Sequence, residues 1–137
     1  MNPRIAIYNR MVNDPELQAL VGGRVFAKKS MTSAVEEHPF IVYKFGTGSN
    51  EDLAEDEPIK RQYLQFFVHD FSDTETGDYL RIDDVLSRLY QLFHNWSNKE
   101  ANIILTSFLE TSQDLNDLTL STVMKYSRFN SLIKETP

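Results

Sequence analysis

Residues 60–71, KRQYLQFFVHDF, constrain the fold of this chain more than any other stretch. Leu64, Phe66 and Val68 alternate onto one side of an extended backbone, while Tyr63, Phe67 and His69 alternate onto the other. A strand that is apolar on both faces needs neighbours beside it and cover above it. It is therefore predicted to be an interior strand of a sheet, and the rest of the chain must supply the flanking strands and a covering layer.

The covering layer is legible as helices. Ile5, Tyr8 and Val12 recur at i, i+3 and i+7, one stripe of a helix that Pro3 can begin. Asp14 then supplies a cap, Pro15 a first helical residue and Glu16 a charge suited to the positive end of the helix dipole. Gly22 and Gly23 stop the run, so residues 3–21 read as a helix broken near Asn13 or as two short helices at an angle. A second helix over 78–95 places Ile82, Val85, Leu86, Leu89 and Phe93 on one side, with Arg81, Asp84, Arg88 and Gln91 on the other. Strands are predicted at 40–45, 60–71, 103–111 and 119–129, with a short extended piece at Arg24 to Phe26 and a polar turn over 113–117. The tail from Asn130 onward is ambiguous. The whole reads as a single α+β domain over 1–137, a largely antiparallel or mixed β-sheet covered by two main helices.

Composition removes several classes of function. A chain of 137 residues suits one core. With no cysteine there is no disulfide framework, thiolate nucleophile or cysteine-based zinc site. Apolar runs such as Phe66 to Val68 are far shorter than the roughly 20 residues of a membrane span. The start, Met1-Asn2-Pro3-Arg4, leads into no apolar signal segment, so a soluble protein made inside the cell is expected, with no membrane partner. The net charge of −6, from 20 acids against 14 bases, argues against specific nucleic-acid binding. Five of those acids, Glu51, Asp52, Glu55, Asp56 and Glu57, lie in a loop predicted over 50–58 that is too polar to order itself.

No catalytic, cofactor or metal site emerges. His38, His69 and His94 form no pair at metal-ligand spacing, and His69-Asp70 lacks the helical setting and further ligands of a phosphohydrolase motif. His69 reads as a partly exposed strand residue, His38 as the residue before a strand, and His94 as a helix C-terminal residue favoured by the dipole. Gly46-Thr47-Gly48-Ser49 has neither the third glycine nor the following helix of a phosphate loop, and no Gly-x-Ser-x-Gly elbow occurs. A small hydrolase would have to work from unpaired histidines. The chain is expected not to be an enzyme, and a small α+β ligand-binding or regulatory module is the alternative.

The ordered combination of segments resembles the tail-terminator, or tail-completion, proteins of long-tailed bacteriophages. Residues 14–26, DPELQALVGGRVF, match the opening helix and its Gly-Gly-Arg-Val-Phe exit, and residues 39–43, PFIVY, match the following strand. The long strand over 61–71 continues the likeness, as does the helical stretch 84–89, DVLSRL, which is similar to the family's Val-x-x-Leu-x-x-Leu helix; the likeness covers about residues 5–95.

The resemblance implies a virion protein, assembled in the host cytoplasm, that forms a ring, usually a hexamer, on the head-proximal end of the tail tube. Its partners would be further copies of itself, the major tail tube protein and a head-to-tail connector or head-completion protein, with DNA passing through the ring. The acidic loop, Glu51, Asp52, Glu55, Asp56 and Glu57, is then a candidate assembly loop or channel lining. A head-to-tail ring needs two different patches on each subunit. The expected patches are a sheet edge or outward face around Tyr63, Gln65 and Phe67, and a helix surface bearing Arg81 and Arg88.

Overall fold

The computed structural model describes residues 2–27, 39–46, 59–71, 78–117 and 122–134. The expected loop over 50–58, with its five acids, and His38 lie outside the described residues. The chain is an α+β protein.

Its first helical stretch is two helices, α1 (Pro3–Val12) and α2 (Pro15–Val21). The break has a local cause. Asp14 is extended (φ −88°, ψ 114°), its carboxylate accepts from the Leu17 N–H, and Pro15 begins the new helix. Gly22 ends α2 in the left-handed region at φ 56°, where a side chain would be strained. Of the stripe expected to face the core, only Val12 packs against it. Ala6, Ile7 and Met11 are buried, whereas Ile5 and Tyr8 are 52% and 39% exposed and Val12 is half-buried. Apolar residues occur on both sides of α1, so periodicity alone cannot choose the inner one.

Helix α3 (Asp78–Phe93) is followed by Asn95 in the left-handed region at φ 58°, which ends it before residue 95. The polar stretch after it contains a short strand, β4 (Trp96–Asn98), and a single 3-10 turn (Lys99–Ala101) capped by Asn98. Neither is visible in the sequence, because pairing with a neighbouring strand, not propensity, extends the backbone there.

The remaining strands are β1 (Val25–Phe26), β2 (Phe40–Gly46), β3 (Ile59–Phe71), β5 (Ile103–Thr111), β6 (Leu115–Asp117) and β7 (Thr122–Lys134). Two departures from expectation stand out. Leu115 to Asp117, read as turn, pair with β7, and β7 runs on to Lys134 instead of stopping at 129. Ser127 and Ser131 are buried at inward positions of β7, and these small polar residues mask the alternation that Phe129 and Ile133 continue.

The strands form one mixed sheet in the order β1-β2-β3-β7-β5-β4, with β6 also on β7. Only β1 and β2 pair in parallel among the described strands. Strand β3 lies between β2 and β7, as its two apolar faces require. Helix α3 crosses β3, β7 and β5, with α2 against α3 and α1 against α2 and β1. Between the helices and the sheet lies an aromatic core in which Phe66 meets Phe93 at 4.9 Å and Phe129 at 5.6 Å.

Candidate assembly interface

One face of the sheet carries the helices and the other carries no helix among the described residues, with Tyr63, Gln65 and Phe67 of β3 half-buried on that helix-free side, called the open face below. Register sets their neighbours: Phe67 opposes Val42 and Tyr126, Gln65 opposes Lys44 and Arg128, and Tyr63 opposes Gly46 and Asn130. The result is an alternation of rings and cations. Lys44 Nζ lies 4.9 Å from the Phe67 ring centre, and Phe67 lies 5.5 Å from Tyr126. The Arg128 guanidinium lies 5.1 Å from the Tyr63 ring and is held by Glu110 at 3.0 Å. Toward β1 the same face closes into a small second core of Phe26, Phe40, Val42 and Phe67.

His69 belongs to that closed region and is buried, not partly exposed. Its ring stacks on Phe40 at 4.7 Å, and Nδ1 shares a 2.8 Å hydrogen bond with the Thr122 hydroxyl. Its neighbour Asp70 faces the helices and receives the Arg81 fork at 2.8 and 2.5 Å. The His69-Asp70 dipeptide thus points to two sides of the sheet. Among the described residues no group of three or more His, Asp or Glu side chains could hold a metal ion.

Among the described residues, three buried polar atoms on the helix-free face have no hydrogen-bond partner: Arg61 Nε, Arg128 Nε and Asn130 Oδ1. Native proteins rarely leave such groups unpaired, and each costs about 1–3 kcal/mol. They concentrate on the helix-free side of β3 and β7, around Tyr63 and Gln65.

The sheet also leaves two strand edges without a described partner. Strand β1 pairs with β2 at Ile41 and Val42, so among the described residues Tyr43 to Gly46 pair on one side alone. At the other end, β4 pairs with β5 only as far as Thr106. Beyond it the Phe108 N–H is taken by His94 Nδ1 at 3.1 Å, and no described strand pairs along the outer side as far as Thr111. His94 therefore serves as a hydrogen-bond acceptor on a strand edge, and its ring stacks on Tyr90 at 4.8 Å. The two edges are level. Phe45 opposes Leu64, Leu64 opposes Phe129, and Phe129 opposes Phe108.

The second expected patch lies on the helix layer. Arg88 forks onto Asp14 with Nε–Oδ2 at 2.8 Å and Nη2–Oδ1 at 2.6 Å, and its Nη1 reaches Gln91 and Glu16. The hydrogen bond from Arg88 holds the Asp14 carboxyl below its ordinary range, aided by the Leu17 N–H, and Asp14 in turn raises the guanidinium. Burial lowers Arg10, which donates to the Leu92 carbonyl at 2.6 Å, and burial raises Tyr43. Arg81 and Arg88 are therefore engaged within the chain, on the opposite side of the sheet from Tyr63, Gln65 and Phe67.

No protein-family model matches the sequence, and no curated protein matches it. A solved structure does match in fold. The chain aligns over 98% of its length with 96% of a chain in the virion of a native gene transfer agent (GTA) particle, at a TM-score of 0.71 and 11% identity. The shared architecture is the finding; at that identity the side chains of the open face and edges are this chain's own.

Sequence reasoning placed Tyr63, Gln65 and Phe67 on an outward face but missed Lys44, Tyr126, Arg128 and the edge residue His94. Phe67 with Tyr126 and Tyr63 with Arg128 meet only through the pairing of β3 with β7, across about 60 intervening residues. The alternation Tyr126, Arg128, Asn130 along one strand was the available signal.

Proposed function

We propose that this protein is a structural virion subunit that assembles head to tail into a ring closing the head-proximal end of a phage-type tail tube. The ring ends tube polymerisation and presents the surface to which a head-completion protein or connector attaches. The observation that carries the reading is the pair of level edges on β2 and β5 that no described strand covers. Neighbours in the order β2-β3-β7-β5 are antiparallel, so β5 of one copy beside β2 of the next continues an antiparallel sheet from subunit to subunit. Such a contact is heterologous, and it closes into a ring when the rotation per copy allows. It also covers edges that an isolated chain would leave open to indiscriminate pairing.

The described helices occupy one side of the sheet, and the thicker layer belongs on the longer, outer circumference. The open face with Tyr63, Gln65 and Phe67 then turns toward the axis or the tube, where a partner would complete the bonding around Arg61, Arg128 and Asn130. The acidic residues Glu51, Asp52, Glu55, Asp56 and Glu57 are assigned to contact with the tube or connector. Arg81 and Arg88 keep the outer helix layer in place behind the contact surfaces. The role is structural, with no reaction to catalyse. The fold shared with a virion chain supports the reading, as does the likeness to tail terminators, which implies six copies.

The test is mass by light scattering, for the protein alone and mixed with a tail tube protein. A ring in solution, or one that forms on the tube, is expected, and Leu109→Lys, which places a charge on the β5 edge that no described strand covers, should lower assembly in either setting. A chain that stays monomeric and ignores the tube overturns the proposal.

A further inference from the structure

The two ends of the sheet differ in more than their edges. Beside the β2 edge, α1 exposes Ile5 and Tyr8 to 52% and 39%, an apolar stripe with nothing over it among the described residues. Arg4 fixes the location, since its guanidinium lies 5.0 Å from the ring of Phe45, on the half of β2 whose outer side no described strand pairs. Beside the β5 edge, on the same helix-bearing side of the sheet, α3 and β5 enclose a groove of about 250 Å³ lined by Asp83, Leu86, Ser87, Tyr90, Phe108 and Thr111. At its rim Tyr90 stays 42% exposed. The Arg4 end of the stripe and the groove are at one level, because Phe45 and Phe108 share a row across the sheet, while the other end of α1 reaches Leu92 and Trp96 through Arg10.

We infer that the Ile5 and Tyr8 stripe of one copy docks into the α3–β5 groove of the next. The inference rests on the ring proposed above and names the side-chain contact that would lock it. Placing β2 of one copy along β5 of its neighbour carries the N-terminal end of α1 toward Phe108 and Tyr90, since Arg4 lies against Phe45 on that half of β2. A convex apolar helix stripe then meets an apolar groove with aromatic walls, the arrangement that helix-in-groove contacts use. Charge agrees. At the groove Lys125 sits between Asp83 at 2.7 Å and Asp114 at 3.8 Å, one cation for two carboxylates, whereas the stripe is flanked by the exposed cation Arg4. A second copy of this chain satisfies both surfaces at once, and the level placement of stripe and groove selects it over an unrelated partner.

The absence of cysteine permits a direct test. Two single variants, Ile5→Cys and Ser87→Cys, are oxidised mildly under the conditions of ring assembly, separately and mixed, with ring formation followed by light scattering. Covalent dimers are expected only in the mixture, and Ile5→Asp is expected to raise the concentration for half-assembly at least about tenfold while leaving the melting temperature of the monomer unchanged. Dimers from either variant alone would indicate a symmetric contact and overturn the inference. Rings that form without any cross-link would overturn it while leaving the ring reading intact. Failure to form rings under any condition, with or without tube protein, overturns both.

Discussion

Arg88 holds Asp14 through a two-point fork of 2.8 and 2.6 Å across 74 positions of sequence, and the same Asp14 carboxylate caps α2 through the Leu17 N–H at 2.8 Å. One side chain thus both starts a helix and ties it to α3. Asp14→Ala removes both. The lost cap alone costs about 1 kcal/mol, which lowers the melting temperature by roughly 3–5 °C in a chain of this size. Asp14→Asn keeps a capping oxygen and should fall between the two, as thermal melts followed by circular dichroism will show.

The same pair makes stability depend on pH. The Asp14 carboxyl is held below its unfolded value of about 3.9, so its contribution is complete above that pH and is lost as pH falls through the folded value. The gap in urea stability between wild type and Asp14→Asn should therefore be constant from about pH 5 to 8 and close below about pH 4. A gap that persists at acid pH would show that the hydrogen bonds, not the charge, matter.

Tyr43 gives the opposite slope. Burial raises its phenol above the ordinary value of about 10, so its contribution is complete below that pH and is lost as pH rises through the folded value. Tyr43→Phe should be less sensitive to alkali than wild type in denaturation at pH 9 to 11. Equal alkaline loss in both would place the titrating group elsewhere.

Phe129 packs on Phe66 and Phe108 at 5.6 Å each and is fully buried. Phe129→Ala opens a cavity where α3, β3 and β5 converge and should cost about 3–5 kcal/mol, read as a shift in the urea midpoint. By contrast, Glu110→Gln weakens a pair that is 53% exposed on its acid side and should change stability by less than about 1 kcal/mol.

Removal of residues 51–57 tests the acidic segment. Loop-closure entropy changes by only about 0.6 kcal/mol per doubling of length, so the shortened chain should fold and melt close to wild type. It should nonetheless fail to join tails to heads in an assembly assay. Normal joining by the deletion would remove these five carboxylates from the assembly role.

The sequence by itself determined the local elements and the class. Alternation on both sides of 60–71 made β3 an interior strand, Asp14-Pro15 started a helix and Gly22 ended it, and the stripe from Ile82 to Phe93 oriented α3. These features rest on periodicity, capping and backbone freedom, which act over a few residues. Tertiary structure alone decided which apolar side of α1 faces inward, that Leu115 to Asp117 pair as a strand, and that β7 reaches Lys134. It alone brought Lys44, Phe67, Tyr126 and Arg128 onto one face and left level edges on β2 and β5. Strand order and register are set by contacts between residues far apart in the chain, and no local pattern encodes them. The assembly surfaces follow from that order, which is why a sequence that announces its helices and strands says little about where one copy meets the next.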